Sequence, residues 1–303
     1  MSDSHPRSAS GRIDVRKTYK LYIGGAFPRS ESGRSYEVRD TTGAFLANAA
    51  LGSRKDARDA VVAARKAFPG WSGATAYNRG QVLYRVAELL EGRRAQFVDE
   101  VRASEGLSAK DAEATVSAAI DRWVWYAGWS DKISQISGSV NSVAGPYFDF
   151  SLPVPTGVVA VLSPQDSSLL GLVSVLAPVI VSGNTAVVLA SETSPLPAIT
   201  LSEVLATSDV PGGVVNILTG RTAEIASHLA AHMDVNAIDL TGAPEAGANG
   251  ALEAATELEN AAAGNLKRVI RKPLSPPDWY AAPSPKRLLS YLETKTVWHP
   301  IGV

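Results

Sequence analysis

From residue 156 onward the chain alternates short runs that are apolar throughout with longer helix-like runs. No other feature constrains the fold as strongly. The strand-like runs are GVVAVL (157–162), NTAVVLA (184–190), GVVNIL (213–218), NAIDL (236–240) and LKRVI (266–270). Helical stretches lie between them near 167–181, 196–207, 222–232 and 244–263. Strands apolar on both faces must be covered on both faces. Repeated βα units of this kind predict an α/β fold built on a doubly wound parallel sheet of about five strands.

The upstream half reads differently. YKLYIGGAFPRSESGRSYEVRD (19–40) alternates apolar and polar residues around Gly and Ser, as short strands and turns do. Ser53-Arg54-Lys55-Asp56 reads as a helix cap, followed by Ala57, Ala60, Val61, Ala64 and Phe68 at helical spacing. Pro69-Gly70 is expected to stop that helix. Long helical patterns cover 78–102 and 108–135, the second carrying Trp123, Trp125, Tyr126 and Trp129, an aromatic cluster read as core. PYFDFSLPVP (146–155) reads as an extended strand. Residues 1–17 read as a disordered tail, and the Pro/Ser-rich stretch 271–289 as a mobile linker. SYLETKTVWHPIGV (290–303) is β-prone.

With 303 residues and a net charge of −1, the chain carries no signature of a nucleic-acid or anionic-membrane binder. No apolar run is long enough to span a bilayer. The first residues, MSDSHPRSASGR, hold no apolar core of a secretory signal, so a cytoplasmic location is expected. There is no cysteine, which removes disulfides, thiolate metal ligands and any thiol nucleophile. His228 and His232 are four apart on a helical pattern but have no further ligand in the sequence, so they read as a polar helix face.

In a doubly wound sheet, ligands sit outside the carboxyl ends of the strands. Those ends read Ser163-Pro164-Gln165-Asp166, Ala190-Ser191-Glu192, Thr219-Gly220-Arg221 and Thr241-Gly242-Ala243. Neither G-x-G-x-x-G nor G-x-x-x-x-G-K-[ST] occurs. A helix N-terminus can bind an anion without either motif.

The order and spelling of these turns resemble the aldehyde dehydrogenase superfamily. PTGVVAVLSPQDSSLLGLVSVLAPVIVSGNTAVVLASETSPLPAITLSEVL resembles the family's first cofactor-binding segment, usually with P-W-N-F at the first turn and K-P-S-E at the second. VPGGVVNILTG and HMDVNAIDLTGAPEAG resemble the next two turns, and NLKRVI the strand that normally continues into E-L-G-G-K. KLYIGGAF and YAGWSDKI fit the same family. The resemblance spans about 18–270. It implies a cofactor-binding domain with N-terminal helices, and NAD or NADP as cofactor. Residues 290–303 resemble the C-terminal oligomerisation strand. Between them the sequence reads as if the cysteine-bearing catalytic domain were excised.

The resemblance also assigns roles, and this sequence departs from them. The thiol nucleophile has no counterpart. The general base of E-L-G-G-K falls on Lys272, and the amide that donates to the oxyanion falls on Asp166. An ionised carboxylate only accepts hydrogen bonds, and losing one such donor costs about 2.7–4 kcal/mol. Ser163, Pro164, Gln165, Ser191, Glu192, Gly220, Thr241 and Gly242 remain as candidate cofactor-binding positions. Ala190 replaces the expected lysine, Ala243 the expected serine, and Arg221 crowds the third turn. The expectation is a catalytically inactive subunit with a degraded NAD(P) pocket. It would assemble with a full-length aldehyde dehydrogenase or with itself through 146–155 and 290–298, with no nucleic-acid or membrane partner. The alternatives are an NAD(P)-dependent aldehyde oxidoreductase or a nucleotide-binding module.

Overall fold

The computed structural model describes residues 17–243 and 251–302. The expected tail, apart from Lys17, and the start of the helix expected at 244–263 lie outside the described residues. The chain opens with a hairpin, β1 (Ser35–Arg39) and β2 (Phe45–Ala50), and then turns helical. Ser53 caps α1 (Arg54–Gly73) in a reciprocal box with Asp56. Pro69 does not end α1 but lies inside it. The helix gives up one backbone bond there and continues to Trp71, which is buried and donates from Nε1 to Ile180 O at 2.9 Å.

The helix expected over 78–102 is two: α2 (Ala76–Gly92) and α3 (Arg94–Glu105). Arg93 leaves helical geometry between them, and its guanidinium holds Glu203 at 2.6 Å. The pattern over 108–135 gives α4 (Ala109–Ala127) and a short α5 (Ile133–Ser137). Trp123 and Tyr126 are core, while Trp125 and Trp129 pack on its margin.

β3 (Ser139–Asn141) and β4 (Tyr147–Pro155) lead into the α/β unit. Its strands and helices alternate as β5 (Val158–Leu162), α6 (Leu170–Val181), β6 (Thr185–Leu189), α7 (Leu196–Thr207), β7 (Val215–Leu218), α8 (Thr222–Ala231), β8 (Ala237–Asp239), α9 (Ala251–Ala263) and β9 (Arg268–Ile270). The sheet order is β7-β6-β5-β8-β9, all parallel. The expected α/β fold with a parallel five-stranded sheet is observed. Helices cover both faces: α1, α8 and α9 on one, α4, α6 and α7 on the other. Tyr22 closes the β7 edge by exchanging backbone bonds with Ile217.

The segment expected as a mobile linker is irregular over 271–284 but fastened to the body. Arg122 donates to Trp279 O and Ala281 O at 2.8 and 3.1 Å, and the Tyr280 hydroxyl lies 2.7 Å from Thr115 Oγ1. It ends in α10 (Pro285–Leu289), whose Leu288 is fully buried. β10 (Leu292–Pro300) then pairs antiparallel with β4 along its whole length, completing a sheet of order β10-β4-β3. Among the described residues no helix is long and apolar enough to cross a membrane.

Candidate functional site

The turn after β5 begins where the ladder ends. Ser163 still donates to Leu189 O at 3.0 Å, but Pro164 has no N–H to continue. Ser167 Oγ then accepts the N–H of Gly171 in the first turn of α6 at 2.9 Å. Ser168 gives both its N–H and its hydroxyl to Glu105 Oε1, at 2.7 and 2.6 Å. Burial pushes the Glu105 carboxyl above its ordinary value; the Ser168 bonds pull it part of the way back, and nearby Asp166 adds to the rise.

This turn and the ends of β8 and β9 frame a cleft of about 960 Å³. Pro164, Gln165, Asp166, Thr241, Gly242 and Lys272 all line it. Asp166 is exposed there, as an acceptor rather than a donor. Lys272 Nζ donates to Ala243 O at 2.7 Å, tying the segment after β9 to the β8 turn. Gly242 is required by packing: a Cβ there would fall 1.8 Å from Ser163 O.

The other predicted residues cluster on the far side of Gln165, and most of their polar atoms are engaged with one another. Gln165 donates from Nε2 to Ser163 O and accepts at Oε1 from Glu192 N–H, both at 2.9 Å. Ser191 Oγ donates to Gln165 O at 3.3 Å. Glu192 turns its carboxylate onto the N-terminus of α8, accepting from Thr222 N–H at 3.0 Å and from Arg221 at 2.6 Å. A helix N-terminus is an anion site, and here the chain's own carboxylate fills it. Gly220, with φ of +145°, carries the turn where a Cβ would fall 3.1 Å from Gly52 N. Ser163 Oγ is buried with no partner among the described residues. Ala190 and Ala243, both buried, offer no polar side chain. Among the described residues the Gln165, Ser191 and Glu192 side chains, candidate dinucleotide contacts, are already engaged by other groups of the chain, while Ser163 Oγ is not.

One constellation escaped the sequence reading. Asp239, fully buried in β8, accepts from Arg287 at 2.5 Å and from the Tyr291 hydroxyl. Its second oxygen takes the Thr241 N–H and hydroxyl at 2.9 and 2.6 Å. Burial works against the Arg287 charge, but Asp239 holds its pKa above the ordinary value; burial and the same carboxylate push Tyr291 well up. The Thr241 hydroxyl, a predicted cofactor contact, is thereby committed to Asp239 and Arg287. The signal was an acid in the middle of the apolar run NAIDL. His232, read as part of a polar helix face, follows the last turn of α8 and accepts at Nδ1 from Asp234 N–H at 3.2 Å.

Curated relatives match most of this chain. Cytosolic 10-formyltetrahydrofolate dehydrogenase of Mus musculus is 30% identical over 276 residues, 88% of this chain and 29% of that protein. The D-glyceraldehyde dehydrogenase (NADP(+)) of Thermoplasma acidophilum is 31% identical over 75% of this chain and 46% of its own. Mitochondrial benzaldehyde dehydrogenase of Antirrhinum majus is 33% identical over 82% of this chain and 46% of its own. The chain thus spans less than half the length of these relatives. Among solved structures, PnpE of Pseudomonas sp. WBC-3 superposes with a TM-score of 0.76 at 28% identity, covering 84% of this chain and 50% of that one. HpcC of Thermus thermophilus gives 0.74 at 28%, covering 84% and 47%. A model of the aldehyde dehydrogenase family matches residues 27–269, and the chain belongs to that family.

Proposed function

We propose that this chain is a non-catalytic aldehyde dehydrogenase family subunit, which assembles with a full-length family member or with itself. One observation carries the reading: the cleft at the strand ends presents Asp166 and Lys272 in a chain with no cysteine. Aldehyde oxidation in this family's manner needs a nucleophile, a base and an oxyanion donor. Lys272 brings a cation already bonded to Ala243 O, and Asp166 brings an anion that repels a developing oxyanion. The internally satisfied cluster around Gln165 and Glu192 supports weak or absent NAD(P) binding.

The test uses the purified full chain. It is expected to form no NADH or NADPH from aldehydes above a blank without protein, and calorimetric titration is expected to give no dissociation constant in the low micromolar range, about −8 kcal/mol. Aldehyde-dependent NADH formation that disappears in an Asp166 or Lys272 variant would sink the reading. Tight NAD binding without turnover favours the nucleotide-binding module instead.

A further inference from the structure

Away from the strand ends, a groove of about 910 Å³ lies between α2 and α4. Its layout follows from how the two helices meet. Gly80 of α2 packs on Ser130, just past α4, where a Cβ on the glycine would fall 2.5 Å from Ser130 Oγ. Arg94, just past α2, holds Glu113 of α4 at 3.0 Å. The helices therefore run antiparallel. Tyr77, Tyr84 and Glu88 recur on α2 at i, i+7 and i+11, which is one face of a helix, and all three line the groove. Val124 lines it from α4. Tyr84 and Val124 are 51% and 40% exposed, so the middle of the groove is an apolar floor open to water.

The two ends differ in chemistry. At one end Ser130 is only 6% exposed, and its hydroxyl makes no hydrogen bond among the described residues. A nearly buried hydroxyl left without a partner is costly. At the other end stands Glu88. Two cations of the lining, Arg85 and Lys132, face three carboxylates, Glu88, Asp131 and Asp209. Arg85 meets Asp209 at 3.2 Å and Lys132 meets Asp131 at 3.0 Å, which leaves Glu88 as the carboxylate with no ion pair among the described residues. Helical side chains lean toward the helix N-terminus, so the Glu88 carboxylate hangs over the turn that carries Tyr84. A carboxylate beside an aromatic face selects a cation. From Gly80, against which Ser130 lies, to Glu88 is about 12 Å along the axis of α2.

We propose that this groove binds a linear primary alkylammonium that carries a hydroxyl at its far end. The ammonium donates to Glu88 beside the Tyr84 ring. The alkyl stem lies along Tyr84 and Val124, and the hydroxyl bonds Ser130 Oγ. The site is separate from the strand-end cleft and stands whether or not that cleft is catalytic.

Titration of the full chain with 8-amino-1-octanol tests this, read from the chemical shifts of isotope-labelled tyrosines. Saturable binding with a dissociation constant of about 1 mM is expected, with the shift at Tyr84. Octylamine, which lacks the hydroxyl, should bind about fivefold more weakly, and 1-octanol, which lacks the ammonium, should bind more weakly than the amino alcohol. Ser130→Ala should weaken the amino alcohol about fivefold and leave octylamine unchanged. Glu88→Gln should weaken both amines about fivefold, whereas Glu113→Gln, outside the groove, should change neither. Absence of saturable binding by 8-amino-1-octanol overturns the proposal. So does 1-octanol binding as well as the amino alcohol, since the contact would then be apolar alone. So does an equal loss of both amines in Ser130→Ala, which would mean a collapsed groove rather than a lost hydrogen bond, or unchanged binding in Glu88→Gln.

Discussion

Glu105 shows how much of a site can hang on a residue that no motif marks. Its carboxyl holds the β5 turn through Ser168, and burial sets its pKa above the ordinary 4.5. A pKa raised on folding means that the folded state favours the protonated form. The contribution to stability is complete below 4.5 and fades as pH rises through the higher folded value. Glu105→Gln keeps the acceptor oxygen and removes the charge. Urea midpoints measured from pH 4.5 to neutrality should fall less steeply in the variant; equal slopes would show that Glu105 carries none of the pH dependence. At this scale the sequence singled out Asp166 and Lys272, and the structure brings both to the strand-end cleft. At Glu192 the sequence carries two readings, cap chemistry and a cofactor contact, because an acid at a strand end reads the same whether it meets a ribose or caps a helix. Only the position of α8 distinguishes the two.

Among the elements, α10 is the one the sequence hid. Its five residues lie in a Pro/Ser-rich stretch, and short helices give no period to read. What fixes it is long-range: Arg287 meets Asp239 across 48 residues of chain. Replacing Arg287 by Met leaves Asp239 charged and without its cation in the sheet, which should cost about 3 kcal/mol in chemical denaturation. The double variant with Asp239→Ala removes both charges and should be less destabilised than Arg287→Met alone. If the two losses simply add, the pair is not coupled and α10 is held by Leu288 alone. The parallel sheet was read correctly, because strands apolar on both faces leave few alternatives. The α1 and α2–α3 boundaries were not. Pro69 stays in its helix to deliver Trp71, and Arg93 breaks a continuous pattern to reach Glu203. Both are tertiary demands on a local signal.

At the scale of the molecule, Tyr291 fastens the β10-β4-β3 arm to the parallel sheet, beside the Arg268–Glu293 ion pair at 2.8 Å. Tyr291 is fully buried, its hydroxyl bonds Asp239, and its carbonyl accepts from Thr156 N–H at 3.2 Å and Asn184 Nδ2 at 2.9 Å. A β-prone 290–303 after a mobile linker is expected to be removable without unfolding the 156–270 sheet. The structure divides it differently. Residues up to Leu292 belong to the core, and only those beyond project as strand. A chain ending at Ser290 therefore loses the Tyr291 anchor, opens Asp239 and strips the cover from Asn184. It should lose several kcal/mol, as core and buried-polar losses combine. A chain ending at Glu293 keeps these contacts and loses the outer edge of β10. It should unfold close to the full chain in a thermal scan followed by circular dichroism, yet sediment as a monomer and release any full-length family member that co-purifies with the intact chain. Equal stability of the two truncations would place the boundary of the core elsewhere. Retained association in the longer truncation would move assembly from β10 to another surface.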